Sequence, residues 1–359
     1  ETVDLSANGN RLRFFRNPVN ITMDTHGVEQ VDFNALGGSD AITVNDLTGT
    51  DVTNVNLDLA GALGGTTGDG QIDSVTVNGT DQNDALTAAG NSSGVTVSGL
   101  QAQVAIQHQE PTDQLFVEAL GGDDSISATG LASGAISEFL DGGDGNDTIA
   151  GGPGAETLLG GNGNDSIDGN GGNDRAALGA GDDTFVWDPG DGSDTIDGDA
   201  GRDTMVFNGA GIADTVDVSA NGNRLKFFRQ PANITMDTGG VEHVLFNALG
   251  GADSVTVHDL TGTDVTSVDL DLAGTLGGTA GDGQIDRVVV KGTAGNDAPT
   301  VAGGAGAVSV TGLAPTLELL HAEATDQLDF EDFNVGDTVA HGGLAANTIQ
   351  LFLDGILVP

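Results

Sequence analysis

Apolar and polar residues alternate with a period of two in many short runs, among them AITVND from Ala41, VNLDLAG from Val55 and SVTVNG from Ser74. Alternation over four to eight residues, bounded by Gly and Asn/Asp clusters, predicts half-buried β-strands. Further strands are expected in RLRFF, NITMD, VEQVDF, GVTVSG, QVAIQ and QLFVEAL. No stretch keeps a capped 3.6-residue period over ten residues, so an all-β fold is expected.

Between residues 142 and 186 the pattern changes to a period of nine: GGDGNDTIA, GGPGAETLL, GGNGNDSID, GNGGNDRAA, LGAGDDTFV. Acids fall at Asp147, Glu156, Asp165, Asp174 and Asp183; after a two-residue insertion at Trp187-Asp188 they resume at Asp194 and Asp203. Two residues beyond each acid stands one position for the interior: Ile149, Leu158, Ile167, Ala176, Phe185, Ile196 and Met205. Each unit therefore reads as a six-residue turn plus a three-residue strand with a single inward side chain. Two units close one turn of a flattened coil, which stacks residues i and i+18 at about 4.8 Å.

Self-comparison shows a long duplication. TVDLSANGNRLRFFRNPVNITMD from Thr2 returns as TVDVSANGNRLKFFRQPANITMD from Thr215, and the register continues to FLDG at Phe139 and Phe352. The chain divides into an irregular β-solenoid block (1–140), the nonapeptide block (141–213) and a second copy of the first block with a C-terminal cap (214–359). Degenerate turns in the copies, at Asp40, Asp84, Asp124, Asp253 and Asp297, suggest that one coil of strands and turns runs throughout.

Charge sharpens this picture. The chain carries 54 acids against 10 bases, a formal net charge of -44, and 37% apolar residues. Such a surplus disfavours nucleic acid and anionic membranes as partners. An acidic disordered chain is the alternative, but the alternating runs argue for packed strands if something cancels the charge. Residues 141–206 hold 15 acids and two bases, Arg175 and Arg202. Stacking puts Asp147, Asp165 and Asp183 on one edge, and Glu156 and Asp174 on the other. Carboxylates about 4 Å apart repel by roughly 1 kcal/mol even in water. A cation between the turns is required.

The donors on offer are carboxylates, Asn amides and backbone carbonyls exposed by glycine, with no Cys in the chain and no His in this block. Hard oxygens in such number suit calcium, which takes six to eight at about 2.3–2.6 Å, better than magnesium, which keeps its waters. The candidate ligands are Gly142, Asp144, Asn146, Asp147, Gly151, Glu156, Gly160, Asn162, Asn164, Asp165, Gly169, Asn173, Asp174, Asp183, Asp191, Asp194 and Asp203, with secondary sites at Asp40, Asp84, Asp124, Asp253 and Asp297. A metal-free Asp/Asn-Gly turn is the plainer reading of any one degenerate site.

G-G-x-G-x-D-x-U-x resembles the RTX, or hemolysin-type, calcium-binding repeat. Gly142–Ala150 and Gly160–Asp168 match in full; Glu156 replaces the acid Asp in one unit, Asn170 a glycine in another, and 178–186 lacks the first glycine. The resemblance implies a right-handed parallel β-roll, export by a bacterial type I system with an uncleaved C-terminal signal, and folding once calcium is met outside the cell. The tail QLFLDGILVP resembles such a signal.

Other chemistry is sparse. H-E-x-x-H is absent. Gly90-Asn91-Ser92-Ser93-Gly94 fits G-x-S-x-G, but a nucleophile elbow needs a strand before it and a helix after it, whereas this stretch lies between strands and its copy reads GGAGA. Of six histidines only His108 and His321 correspond between the copies; each is read as a surface or capping group, or else as a general base. Arg11, Arg13, Arg16 and Arg224, Lys226, Arg229 flank Phe-Phe pairs. They would hold an anionic sugar or lipid headgroup by bidentate bonding, or pair with the protein's own acids, the plainer reading.

No apolar run reaches the roughly 18 residues of a membrane span. The expectation is a secreted, calcium-rigidified structural solenoid, for a surface layer, adhesin, matrix or filament, not an enzyme, with head-to-tail self-association and a cell-surface polysaccharide as candidate partners. The alternatives are a secreted β-helix enzyme acting on acidic polysaccharides and a calcium-binding fragment of a larger exoprotein.

Overall fold

Alternation places every second side chain inside. In the computed structural model, which describes residues 1–304, 306–333 and 336–358, this produces 34 strands and, among the described residues, no helix. No helix is therefore long and apolar enough to cross a membrane. The all-β, parallel β-roll expectation is met. The chain forms two compact units, 1–181 and 182–359, so the division by packing falls inside the nonapeptide block rather than at the repeat borders 140 and 213. Pro359, in the signal-like tail, lies outside the described residues.

In the first unit the two faces of the roll are parallel ladders. One runs Thr2–Asn8, Ala41–Val44, Ser74–Thr80, Gln114–Leu120, Ser137–Asp144, Thr157–Asn162 and Arg175–Ala180. The other carries Ser125–Leu131, Thr148–Ala150 and Ser166–Asp168 in parallel. The stacking interval is the expected 18 residues: Thr148 lies on Ser166 and Thr157 on Arg175. The three-residue strands bury one side chain each, Ile149 and Ile167.

The irregular blocks differ from a plain coil in one respect. Each contains antiparallel excursions: Thr2–Asn8, Arg11–Asn17 and Ile21–Thr25 in the first copy, and Thr215–Asn221, Arg224–Gln230 and Ile234–Gly239 in the second. The cause is local. A two-residue loop, Gly9-Asn10, joins the first two strands, with Gly9 at φ 63°. A glycine with positive φ in a two-residue connection matches the twist of an antiparallel pair. Gly-Asn between alternating runs is the signal that would have revealed it.

The second unit packs its core around aromatic rings. Trp187, from the insertion, is buried and stacks on Phe207 at 3.9 Å between centroids, while its indole N–H donates to the Gly192 carbonyl at 2.8 Å. Phe227 and Phe246 complete the cluster around Phe207. The two inserted residues thus fill a wider rung with one large side chain, whose polar atom is satisfied.

Candidate metal centre

The turn acids sit where the chain leaves one face for the other, and the fold uses their oxygens unequally. In the first unit one carboxylate oxygen of many turn acids accepts the backbone N–H of the acid one rung away. The Asp84 N–H donates to Asp124 at 2.6 Å, Asp124 to Asp147 at 2.8 Å, Asp147 to Asp165 at 2.8 Å, and Glu156 to Asp174 at 2.8 Å. The expected edges are present, and each is a ladder of charge-assisted hydrogen bonds. Such bonds are stronger than neutral ones.

The ladder also passes through residues with no glycine motif. Asp40 donates to Asp73, and Asp73 to Asp113. In the second unit Asp183 donates to Asp203 and Asp203 to Glu242; Asp214, Asp253, Asp286 and Asp326 form a second run, and Asp297 donates to Asp337. Asp73, Asp113, Asp214, Glu242, Asp286, Asp326 and Asp337 were not singled out in the sequence. Most of them stand two residues before a buried apolar side chain, as in Asp73–Val75, Asp113–Leu115 and Asp286–Val288. An acid-x-apolar search without the glycines would have found these.

The second carboxylate oxygen separates two kinds of turn. In Asp40, Asp124, Asp147 and Asp203 it is buried and has no hydrogen-bond partner in the protein. Leaving a buried charged acceptor unsatisfied costs more than the roughly 1–3 kcal/mol of a neutral group. In Asp84 the same oxygen accepts from the Thr80 N–H at 2.7 Å and the Thr80 hydroxyl at 3.0 Å. Asp297 is held likewise by Thr293. In Asp84 and Asp297 the carboxylate is thus engaged within its own turn, whereas the first group has an oxygen left over.

Glycine lets the rungs approach closely beside these oxygens. A Cβ on Gly142 would press on Asp147 Oδ2 and lie 2.7 Å from the Gly160 carbonyl; one on Gly151 would lie 2.5 Å from the Gly169 carbonyl and 3.0 Å from Glu156 Oε2. A carboxylate oxygen and a carbonyl of the next rung therefore converge on each missing side chain. These hard oxygens fit a divalent cation such as calcium. Of the sequence candidates, the structure buries Gly142, Gly151, Gly160, Gly169 and the acids Asp147, Glu156, Asp165, Asp174, Asp183, Asp194 and Asp203. Asp144, Asn146, Asn162, Asn164 and Asn173 lie exposed on the outer rim, where Asn162 donates to Asp144 at 2.6 Å and the Asn164 N–H to Asn146 at 2.8 Å. Asp191 is half-buried and accepts the Asp188 N–H. Asp253 is buried beside Asp286.

Burial raises several of these carboxyl groups. Glu138, where the first irregular block gives way to the regular turns, is pushed to about 8 by burial and then by Glu156. Asp253 and Asp286 rise to about 7, first through burial, with neighbouring acids adding and a backbone N–H opposing. Asp73 rises to about 6 for the same reasons. An unfolded carboxyl titrates near about 4. Each raised group therefore stabilises the fold fully below pH about 4, and that contribution is lost as pH climbs through about 6 to 8. In chelator, the melting temperature should fall between pH 5 and pH 8.5; calcium should flatten the slope. Thermal circular dichroism measures both, and a pH-independent melt in chelator would contradict the assignment.

The two kinds of turn should also respond oppositely to Asp→Asn. Asp147→Asn removes repulsion in chelator but also the negative charge beside the leftover oxygen, so it should raise the melting temperature without calcium and lower it with calcium. Asp297→Asn should cost about 1 kcal/mol, the price of a hydrogen bond, in both conditions. Paired melts of the two variants decide it.

The five arginines of the basic trios lie against the protein's own acids. Arg11 bonds Asp24, Arg13 bonds Asp4, and Arg16 bonds Glu1. Arg224 spans Asp197 and Asp237, Arg229 reaches Asp214 in a buried pair, and Lys226 lies over the Phe228 ring. His108 and His321 each bond an acid, Asp58 and Asp271, at 2.7 Å. Gly90–Gly94 forms the tip of an antiparallel hairpin, in which Asn91 pairs with Gly94.

The model of the RTX calcium-binding nonapeptide repeat, in four copies, matches residues 134–165, 150–185 and 190–209, about a fifth of the chain. No curated protein matches the chain.

Proposed function

Starting from the calcium-binding RTX repeats at 134–209, we propose that the protein is an extracellular structural solenoid, exported unfolded by a type I system and set by the calcium it meets outside. The observation that carries this reading is the buried, unpartnered carboxylate oxygen of Asp124, Asp147 and Asp203. A rung built in this way is incomplete until a cation arrives. Ligands assembled only by folding turn binding free energy into folding free energy. Extracellular modules bind calcium with dissociation constants of about 10⁻⁴–10⁻³ M, far above cytosolic calcium, so the chain would stay loose inside the cell and rigid outside.

A structural role, in a surface layer, adhesin, matrix or filament assembled through coil ends, is favoured over catalysis. His108 and His321 are tied to carboxylates in matching loops of the two copies, which suits loop anchoring better than a general base. Polysaccharide binding gains no support from the basic trios, because most of their guanidinium groups are engaged by the protein's own acids. The test is a calcium titration from chelator followed by circular dichroism and light scattering, with export from a type I-competent host assayed in parallel. A sharp gain of β signal near millimolar calcium supports the reading. A transition complete at micromolar calcium, or none, removes the extracellular switch.

A further inference from the structure

The duplication places one surface in two environments. In the second unit the face formed by Leu225, Phe227, Met236, Val244 and Phe246 is fully buried, with Met236 at 0% exposure. What covers it is a nonapeptide coil of the same unit. Thr195–Ala200 pairs in parallel with Ile234–Gly239, and Thr204–Asn208 with His243–Asn247. Ile196, Met205 and Phe207 supply the apolar cover. Polar groups fix the register: Arg224 bonds Asp197 and the Ile196 carbonyl, Asn247 donates to Asn208 at 2.7 Å, and the Asp203 N–H donates to Glu242 at 2.8 Å.

In the first unit the corresponding face is open. Leu12, Phe14, Met23, Val31 and Phe33 line a groove of about 280 Å³. Met23 is 52% exposed and Ile21 41%, whereas Ile234 is 8% exposed. The polar anchors are kept: Arg11 stands for Arg224, Asn34 for Asn247 and Glu29 for Glu242. Arg11 bonds Asp24, the counterpart of Asp237, but has no counterpart of Asp197. Among the described residues the outer edges of Ile21–Thr25 and Gln30–Asn34 carry no strand, the kind of edge that recruits another strand. Apolar surface, edge and anchors are therefore all present without the coil that they hold elsewhere in the same molecule.

We infer that the open face around Phe14, Met23 and Phe33 is a docking site for the end of an RTX-type calcium coil, whose terminal rungs carry the Thr-Ile-Asp-Gly and Thr-Met-Val-Phe-Asn pattern of 195–208. A second copy of this chain is the poorer occupant. Its own 195–208 segment is already committed to its second unit, and in one sheet there the strand Gln350–Leu353 is closed by the antiparallel strand Ile356–Leu357. The inference rests on the calcium-coil reading above, and its test is separable from it.

The experiment extends the full chain before Glu1 with a duplicate of residues 182–213, the stretch that precedes the second copy of the face. In calcium, the duplicate should order and the peroxide oxidation rate of Met23 should fall at least tenfold, toward that of Met236. Changing Ile196→Asp and Phe207→Asp within the duplicate alone, or Arg11→Glu in the chain, should restore Met23 reactivity while the second unit keeps its β signal. An extension that stays disordered, or that leaves Met23 as reactive as before, overturns the inference. Protection of Met23 in the unextended chain that grows with protein concentration also overturns it, in favour of a second copy. Failure of the calcium reading would show separately, as a calcium-independent fold of the unextended chain.

Discussion

In excess chelator the chain should lose its β signal and swell toward the radius of gyration of an unfolded chain of this length, on the order of 70 Å. The argument is one of magnitude. A site at 100 times its dissociation constant stabilises the folded state by about 2.7 kcal/mol. Four such sites, as at Asp40, Asp124, Asp147 and Asp203, would give about 11 kcal/mol. Whole domains are stable by only about 5–15 kcal/mol. Removing the ion also restores repulsion within a chain of net charge -44. Small-angle scattering and far-ultraviolet circular dichroism, with and without chelator, measure the effect. An unchanged scattering profile would mean that the ladders hold the rungs together unaided.

The second large effect is expected from Gly160→Val. A Cβ at this position would overlap the Leu178 carbonyl and lie 2.6 Å from Asp165 Oδ2. Neither neighbour can yield cheaply, because one is backbone of the next rung and the other is a buried turn acid. Overpacking in a close-packed interior typically costs about 1–3 kcal/mol, and here the added methyl groups also push apart the oxygens that converge beside Gly160. The variant should lose at least about 3 kcal/mol in calcium and need several-fold more calcium to fold. Gly211→Ala, at an exposed glycine with nothing within 4 Å of the added atom, should stay within about 0.5 kcal/mol of the parent. Calcium-dependent melts of the pair decide it. Equal behaviour of the two variants would show that the close approach at Gly160 has no structural role.

Legibility followed the range of the interaction. The nine-residue turn is local, so Asp147, Asp165 and Ile149 could be placed from the sequence, and the 18-residue stacking followed from coil geometry. Asp73, Asp113 and Asp286 escaped because their turns lack the glycine pairs, although they take the same place in the ladder. The basic trios were ambiguous for another reason. Partners such as Asp214 for Arg229, or Asp197 for Arg224, are 15 and 27 residues away in the chain and meet only through the strand register. The outer-rim residues Asp144, Asn146, Asn162 and Asn164 share the nine-residue spacing of the turn acids, yet they are exposed and bond along their own column.

What the amino-acid order determined alone is the period, the inward positions, the surplus of hard oxygen donors and the duplication, all properties of neighbouring residues or of composition. What only the tertiary structure decided is which carboxylate oxygen is spent on a neighbouring rung's N–H and which is left over, and which copy of a repeated face is covered. Those outcomes depend on rungs 18 to 42 residues apart coming into register, and two nearly identical segments, Arg11–Asn34 and Arg224–Asn247, differ in burial because only one of them has a coil on its open side.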